Sequence, residues 1–188
     1  MRSIEFIDSL KKDTHTIIDI ANSEFLNLNP RLFNSKPADK KWSIAECFQH
    51  LNLTLDVYIP QMIEIVHQKD KYIGKTKYFK HSIFGKIAVK SMTPKPDKRI
   101  PLRMKTFSKL DPKFSTGEKN EILGQFLKFQ QHILETVHGI QEMSLTNPKI
   151  ITAARPILKM GIGDALHFMI AHNQRHILQA QNVLKIIS

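Results

Sequence analysis

Apolar residues recur at three- and four-residue steps over four stretches of this chain, and that periodicity limits the fold more than any other feature. The first stretch runs from about Ser3 to Leu28 through Ile7, Leu10, Thr14, Ile17, Ala21 and Phe25. Asn29-Pro30 ends it, because a residue before proline is driven out of the α region. The second opens at Ser43, where Ser43-Ile44-Ala45-Glu46 reads as a capping box with Trp42 stapled before it, and continues to about His67. Pro60 marks a kink point within it. The third runs from Glu118 to Ile140 with a stripe of Ile122, Phe126, Phe129, Ile133, Val137 and Ile140, and the fourth from about Gly163 to Ile187. No alternating strand pattern of useful length competes. The fold class expected is all-α: a four-helix bundle with a long crossover connection between helices two and three, which then need not be antiparallel neighbours.

A chain of 188 residues suits one domain, 1–188, and is long enough to bury a core without staples. Cys47 is the sole cysteine, so no internal disulfide forms and a reducing compartment is expected. The opening MRSIEFIDSLKKD has no apolar signal-peptide core, and no apolar run approaches the roughly 18–20 residues of a membrane span. A soluble, cytoplasmic protein is the expectation from these features.

The formal net charge is +11, yet all of the excess lies in one internal segment. Residues 69–113 hold fourteen bases and three acids, while the remainder is balanced at fourteen of each. The fold is therefore not a basic protein; a basic crossover has been added to it, supplying a local field. Within the segment Phe79, Ile83, Ile87 and Ala88 are spaced like one face of a short helix, and Pro94, Pro96, Pro101 and Pro112 impose an extended path. A connection of this length is expected to drape over one end of the bundle. Its functional reading is a positive rim for an anionic substrate, with Tyr72, Tyr78, Phe79, Phe84 and Phe107 supplying apolar contacts. The plain alternative is a solvated lysine-rich loop.

Of nine histidines, His15, His67, His81, His132 and His138 stand alone in motif terms and read as surface or partly buried imidazoles. His172 and His176 are four apart, hence one turn apart on one face of the last helix. On a helical projection both fall on one flank of the apolar stripe, whereas His167 lies off it. Two inward imidazoles need satisfied nitrogens, and a shared metal is an economical partner. His50 is a candidate third ligand if helix two is apolar over a wide arc beside Leu53 and Val57. Plain core packing of the histidines stays open on spacing alone.

Two segments resemble a known family. Lys41-Trp42-Ser43-Ile44-Ala45-Glu46-Cys47-Phe48-Gln49-His50-Leu51 is similar to the signature opening the second helix of DinB-like (YfiT-like) proteins. Gly163-Asp164-Ala165-Leu166, on through His172 to His176-Ile177-Leu178-Gln179, is similar to their last helix. The resemblance covers roughly the whole chain. It implies a bundle with a crossover, often a homodimer, holding one divalent metal through His50, His172 and His176. It further implies a metal-dependent hydrolase or an S-transferase or isomerase using a low-molecular-weight thiol.

Three neutral imidazoles would leave at least one coordination position open, as at catalytic zinc. Zinc, nickel, iron and copper all suit imidazole, with zinc or nickel favoured here. Such an ion lowers the pKa of a bound water or holds a thiolate. Glu46, one turn before His50, is a candidate base, although its capping-box role explains it better. Gln49, Asn173 and Gln179 are candidates to orient the ligands. The leading expectation is thus a metal-dependent enzyme acting on a small, anionic molecule. A binding module contacting nucleic acid or an anionic membrane through residues 69–113 comes second, and a metal-free structural bundle third.

Overall fold

The computed structural model describes residues 1–74, 77–100, 106–112, 118–153 and 155–188. Helix α1 spans Ser3–Ile20 and runs on as a π-helical turn over Ala21–Phe25. Asn29-Pro30 does more than stop it. Asn29 accepts from Arg31 N at 2.8 Å, and Pro30 takes the first position of a short helix α2, Pro30–Asn34. Helix α3 (Ile44–His67) starts at the capping box read from the sequence: Ser43 Oγ accepts from Glu46 N, and Glu46 accepts from Ser43 N at 2.8 Å. It continues through Pro60 to His67. Helix α4 (Ile83–Met92) is the short helix anticipated within the basic segment, followed by α5 (Lys119–Gly139) and α6 (Ile162–Ile187).

The chain is mostly helical. Helix α3 packs against both α5 and α6, and α1 against the same two, so α3 and α5 are neighbours despite the long connection between them. Phe6, Leu10 and Ile17 of α1, Phe48, Leu51 and Leu55 of α3, Phe126 and Ile133 of α5, and Ile162, Leu166 and Ile170 of α6 fill the space between them. This is the apolar stripe of each helix turned inward. Asn173 of α6 donates to Gln130 Oε1 of α5 within that core at 3.1 Å.

Among the described residues the structure departs from the all-helical expectation in a two-stranded sheet. An antiparallel hairpin, β1 (Lys149–Thr152) and β2 (Arg155–Gly161), pairs Ile150 with Met160 and Lys149 with Gly161. Gln61 of α3 covers the outer edge of β1, its amide bonding both Ile151 N (2.9 Å) and Ile151 O (3.2 Å). Only Ile150 and Thr152 of the four β1 residues are buried, too short an alternation to register as a strand in the sequence.

The basic connection is pinned at its start. Ser3 N donates to Lys77 O and Phe79 N to Met1 O, which lays residues 77–79 beside the beginning of α1, and Ser144 N donates to Tyr72 O, which ties Tyr72 to the loop after α5. Helix α4 then packs on α6. Ser82 caps it by accepting from Gly85 N at 2.9 Å, and Asp164 of α6 approaches Gly85 so closely that a β-carbon there would overlap the carboxylate. Gly85→Ala is therefore expected to cost about 1–3 kcal/mol as an overpacked contact, read by urea unfolding. The described bases of residues 69–113 are all exposed; Lys75, Pro101, Arg103, Lys105 and Lys113 lie outside the described residues. Among the described residues no helix is long and apolar enough to cross a membrane.

Candidate metal centre

His50 of α3 meets His172 and His176 of α6, all three buried, and one ring nitrogen of each lies within 4.8 Å of the other two. His50 Nε2 stands 3.2 Å from His172 Nε2. Two nitrogens bound to one tetrahedral zinc at about 2.0–2.1 Å would stand about 3.3 Å apart, so the spacing fits two ligands of one ion. A helical projection puts His50 beside Leu53 and Val57, away from the main stripe of its helix. It is buried nonetheless, because every residue from Cys47 to Leu51 is buried where α3 begins.

Neighbours fix which nitrogen two of the rings turn toward the centre. Leu110 O lies 2.8 Å from His50 Nδ1, and a carbonyl only accepts, so Nδ1 carries the proton and Nε2 keeps its lone pair. Gln179 Oε1 does the same for His176 Nδ1 at 3.0 Å. Trp42 lies over both His50 and His176, at 5.0 and 5.8 Å between ring centres, and Phe168 stacks on His172. Burial pushes the pKa of all three imidazoles below the ordinary value, and the positive charge of Arg175 reinforces it. Neutral rings are the state a metal requires.

The remaining candidates separate cleanly. Glu46 accepts from Ser43 N with one oxygen and from Lys36 Nζ, at 2.7 Å, with the other, which leaves a general-base role without a geometric basis. Asn173 bonds Gln130 rather than a ligand histidine. Gln49 is buried beside His50 on α3. Burial drives the Cys47 thiol far above its ordinary pKa, so it is no nucleophile. Leu110, Arg175 and Asp111, whose charge acts on His50, are additions to the sequence-derived set. The Leu110 contribution is a backbone oxygen and leaves no residue-type signal; Arg175, one residue before His176, falls as far off the apolar stripe as His167 on a helical projection, so its burial has no local signal either.

A second histidine cluster lies nearer the start of α6. His81 Nδ1 donates to Asp164 Oδ1 at 2.6 Å, His167 Nδ1 is 3.2 Å from His81 Nε2, and Phe6 packs edge-on against both rings. His81 is thus not an isolated imidazole, and His167, off the stripe, belongs to this cluster. Burial and the adjoining His81 push His167 down to about 4.

These depressed values set a pH dependence. Unfolded histidines take up protons near pH 6.5, while the folded chain resists protonation until about pH 4 at His167. Between those limits the unfolded state binds more protons, so stability is full above about pH 6.5 and falls as the pH drops toward 4. The urea midpoint in chelator is expected to be lower at pH 5 than at pH 7.5; an unchanged midpoint would contradict neutral buried rings.

A family model described as the DinB superfamily matches residues 19–180. No curated protein and no solved structure matches the chain.

Proposed function

The chain belongs to the DinB superfamily, and on that footing we propose that it is a metal-dependent enzyme, a hydrolase or a low-molecular-weight-thiol S-transferase, built on a four-helix bundle with a crossover. The observation that carries this reading is the convergence of His50, His172 and His176 on one buried point. A divalent transition metal held there, zinc or nickel by ligand type, would supply a Lewis acid with an open position that makes bound water or a thiol nucleophilic near neutral pH.

The chain's own residues then have distinct tasks. His50, His172 and His176 offer neutral nitrogens. Leu110 O and Gln179 hold two of the rings in the tautomer that ligates. Trp42 and Phe168 shield them, so electrostatic effects at the centre are strengthened by a low local dielectric. The cavity alongside, lined by Tyr58, Met92, Leu110 and Phe168, admits a small molecule to the same three rings. Homodimerisation is part of this proposal.

Metal analysis of protein prepared without a nickel column tests it. The expected result is close to one transition-metal ion per chain, with ester or thiol-transfer turnover that chelator removes and the ion restores. Less than about half an equivalent after incubation with zinc and with nickel would defeat the reading.

A second reading has its own observation. The exposed lysines Lys80, Lys86 and Lys90 flank exposed Ile83 and Ile87 on and beside α4, the pattern of a basic amphipathic helix on an anionic surface. Binding to nucleic acid or anionic vesicles that falls steeply with salt would favour it, and blank results at low salt in both assays would remove it.

A further inference from the structure

The cavity beside the three histidines has a chemical character of its own. It measures about 320 Å³, near the lower end of ligand pockets, which run from about 300 to 1,000 Å³. Tyr58 of α3, Phe84 and Met92 of α4, Leu110, Met160 of β2 and Phe168 of α6 wall it. Leaving the imidazoles aside, the one formally charged side chain lining it, among the described residues, is Arg175. That guanidinium is 7% exposed, approaches Ser91 O at 3.4 Å, and is close enough for its charge to act on all three histidines.

Arginine stays protonated in such a place, and its planar fork matches a carboxylate better than any other cation does. Apolar walls, in contrast, penalise charge that meets no counter-charge. From this combination we infer that the cavity binds a compact organic monoanion: an apolar body of one or two rings among the walls, and a single carboxylate-like group beside Arg175 and the histidines. A second anionic group on the body would meet no further charged side chain among the described lining residues and is disfavoured. The exposed lysines of the crossover lie outside these walls and would steer anions toward the mouth rather than select them. The inference rests on the reading of the three histidines as a ligand-accepting metal centre and names the class of molecule that centre serves.

Fluorescence titration of the full chain with 2-naphthoate tests it, with neutral 2-naphthamide and cationic 2-naphthylmethylammonium as probes of the same body, and acetate as an anion without one. Naphthoate is expected to saturate one site at least about tenfold more tightly than naphthamide, as one charge-assisted hydrogen bond provides. The ammonium probe and acetate should not saturate. Arg175→Met is expected to bring naphthoate to the naphthamide level, Arg175→Lys to recover part of the difference, and Ala88→Trp, which fills the wall, to abolish binding of both. If Arg175→Met loses its helical signal, the lysine and tryptophan variants carry the test.

Equal binding of naphthoate and naphthamide, or a preference untouched at Arg175, overturns the inference. Zinc titration of the same samples keeps the two readings apart. A chain that takes up one zinc without discriminating between the probes loses the ligand class and keeps the metal centre. A chain that discriminates and takes up neither zinc nor, in a parallel titration, nickel supports the ligand class and defeats the metal centre.

Discussion

The double variant His172→Ala, His176→Ala is expected to lose metal uptake while keeping its helical content. Both rings are buried on α6, and their replacement leaves His50 alone with no partner nitrogen for an ion. Removing a group that merely orients a ligand weakens metal binding about 10–100-fold, so deleting two ligands must do more. The second consequence is thermal. An ion that binds only the folded chain, present at a hundred times its dissociation constant, stabilises it by about 2.7 kcal/mol. For a chain of this size that is about 5–11 °C in melting temperature. The unsubstituted protein should gain that increment with zinc and lose it with chelator, and the variant should show neither. A melting temperature indifferent to metal and chelator in the unsubstituted protein would mean that the histidines only pack.

Asp164→Ala is the second large effect. The carboxylate is buried in the first turn of α6, where the helix dipole favours a negative charge. It accepts from His81 Nδ1 at 2.6 Å, from Ser82 Oγ at 2.7 Å and from Ser82 N at 3.2 Å. Alanine withdraws the acceptor from three donors, and breaking a buried pair costs about 3–5 kcal/mol. His81 retains some contact with water, so about 3 kcal/mol is the expected loss by urea unfolding. Asp164→Asn keeps one acceptor oxygen and should lose less. The same contact fastens the start of α4 to α6, so a loss below about 1 kcal/mol would show that α4 docks by its apolar face alone.

Local signals in the chain carried much of this architecture. Ser43 and Glu46 announce the start of α3 because a capping box needs only residues three apart, and the structure forms both of its bonds. The period of Ile122, Phe126, Phe129 and Ile133 predicts which face of α5 is buried, and all four are. His172 and His176 share a face by helix geometry alone. The hairpin has no local signal because β1 is four residues long and its outer edge is covered by Gln61, ninety positions from Ile151. Asn29-Pro30 looked like a terminator, since proline ends one helix by the same fixed backbone angle that starts the next.

What the sequence alone determined is therefore whatever depends on residues within a turn or two of one another: helix spans, their caps, the inward stripes and the i, i+4 histidine pair. The meeting of His50 with that pair, the Leu110 carbonyl that orients it, the Arg175-bearing cavity wall and the His81–Asp164 contact were decided only by tertiary packing. Each joins groups separated by many tens of residues, so it depends on the rotation of one helix against another. That rotation is set by how all the apolar faces fit together at once, and no local pattern records it.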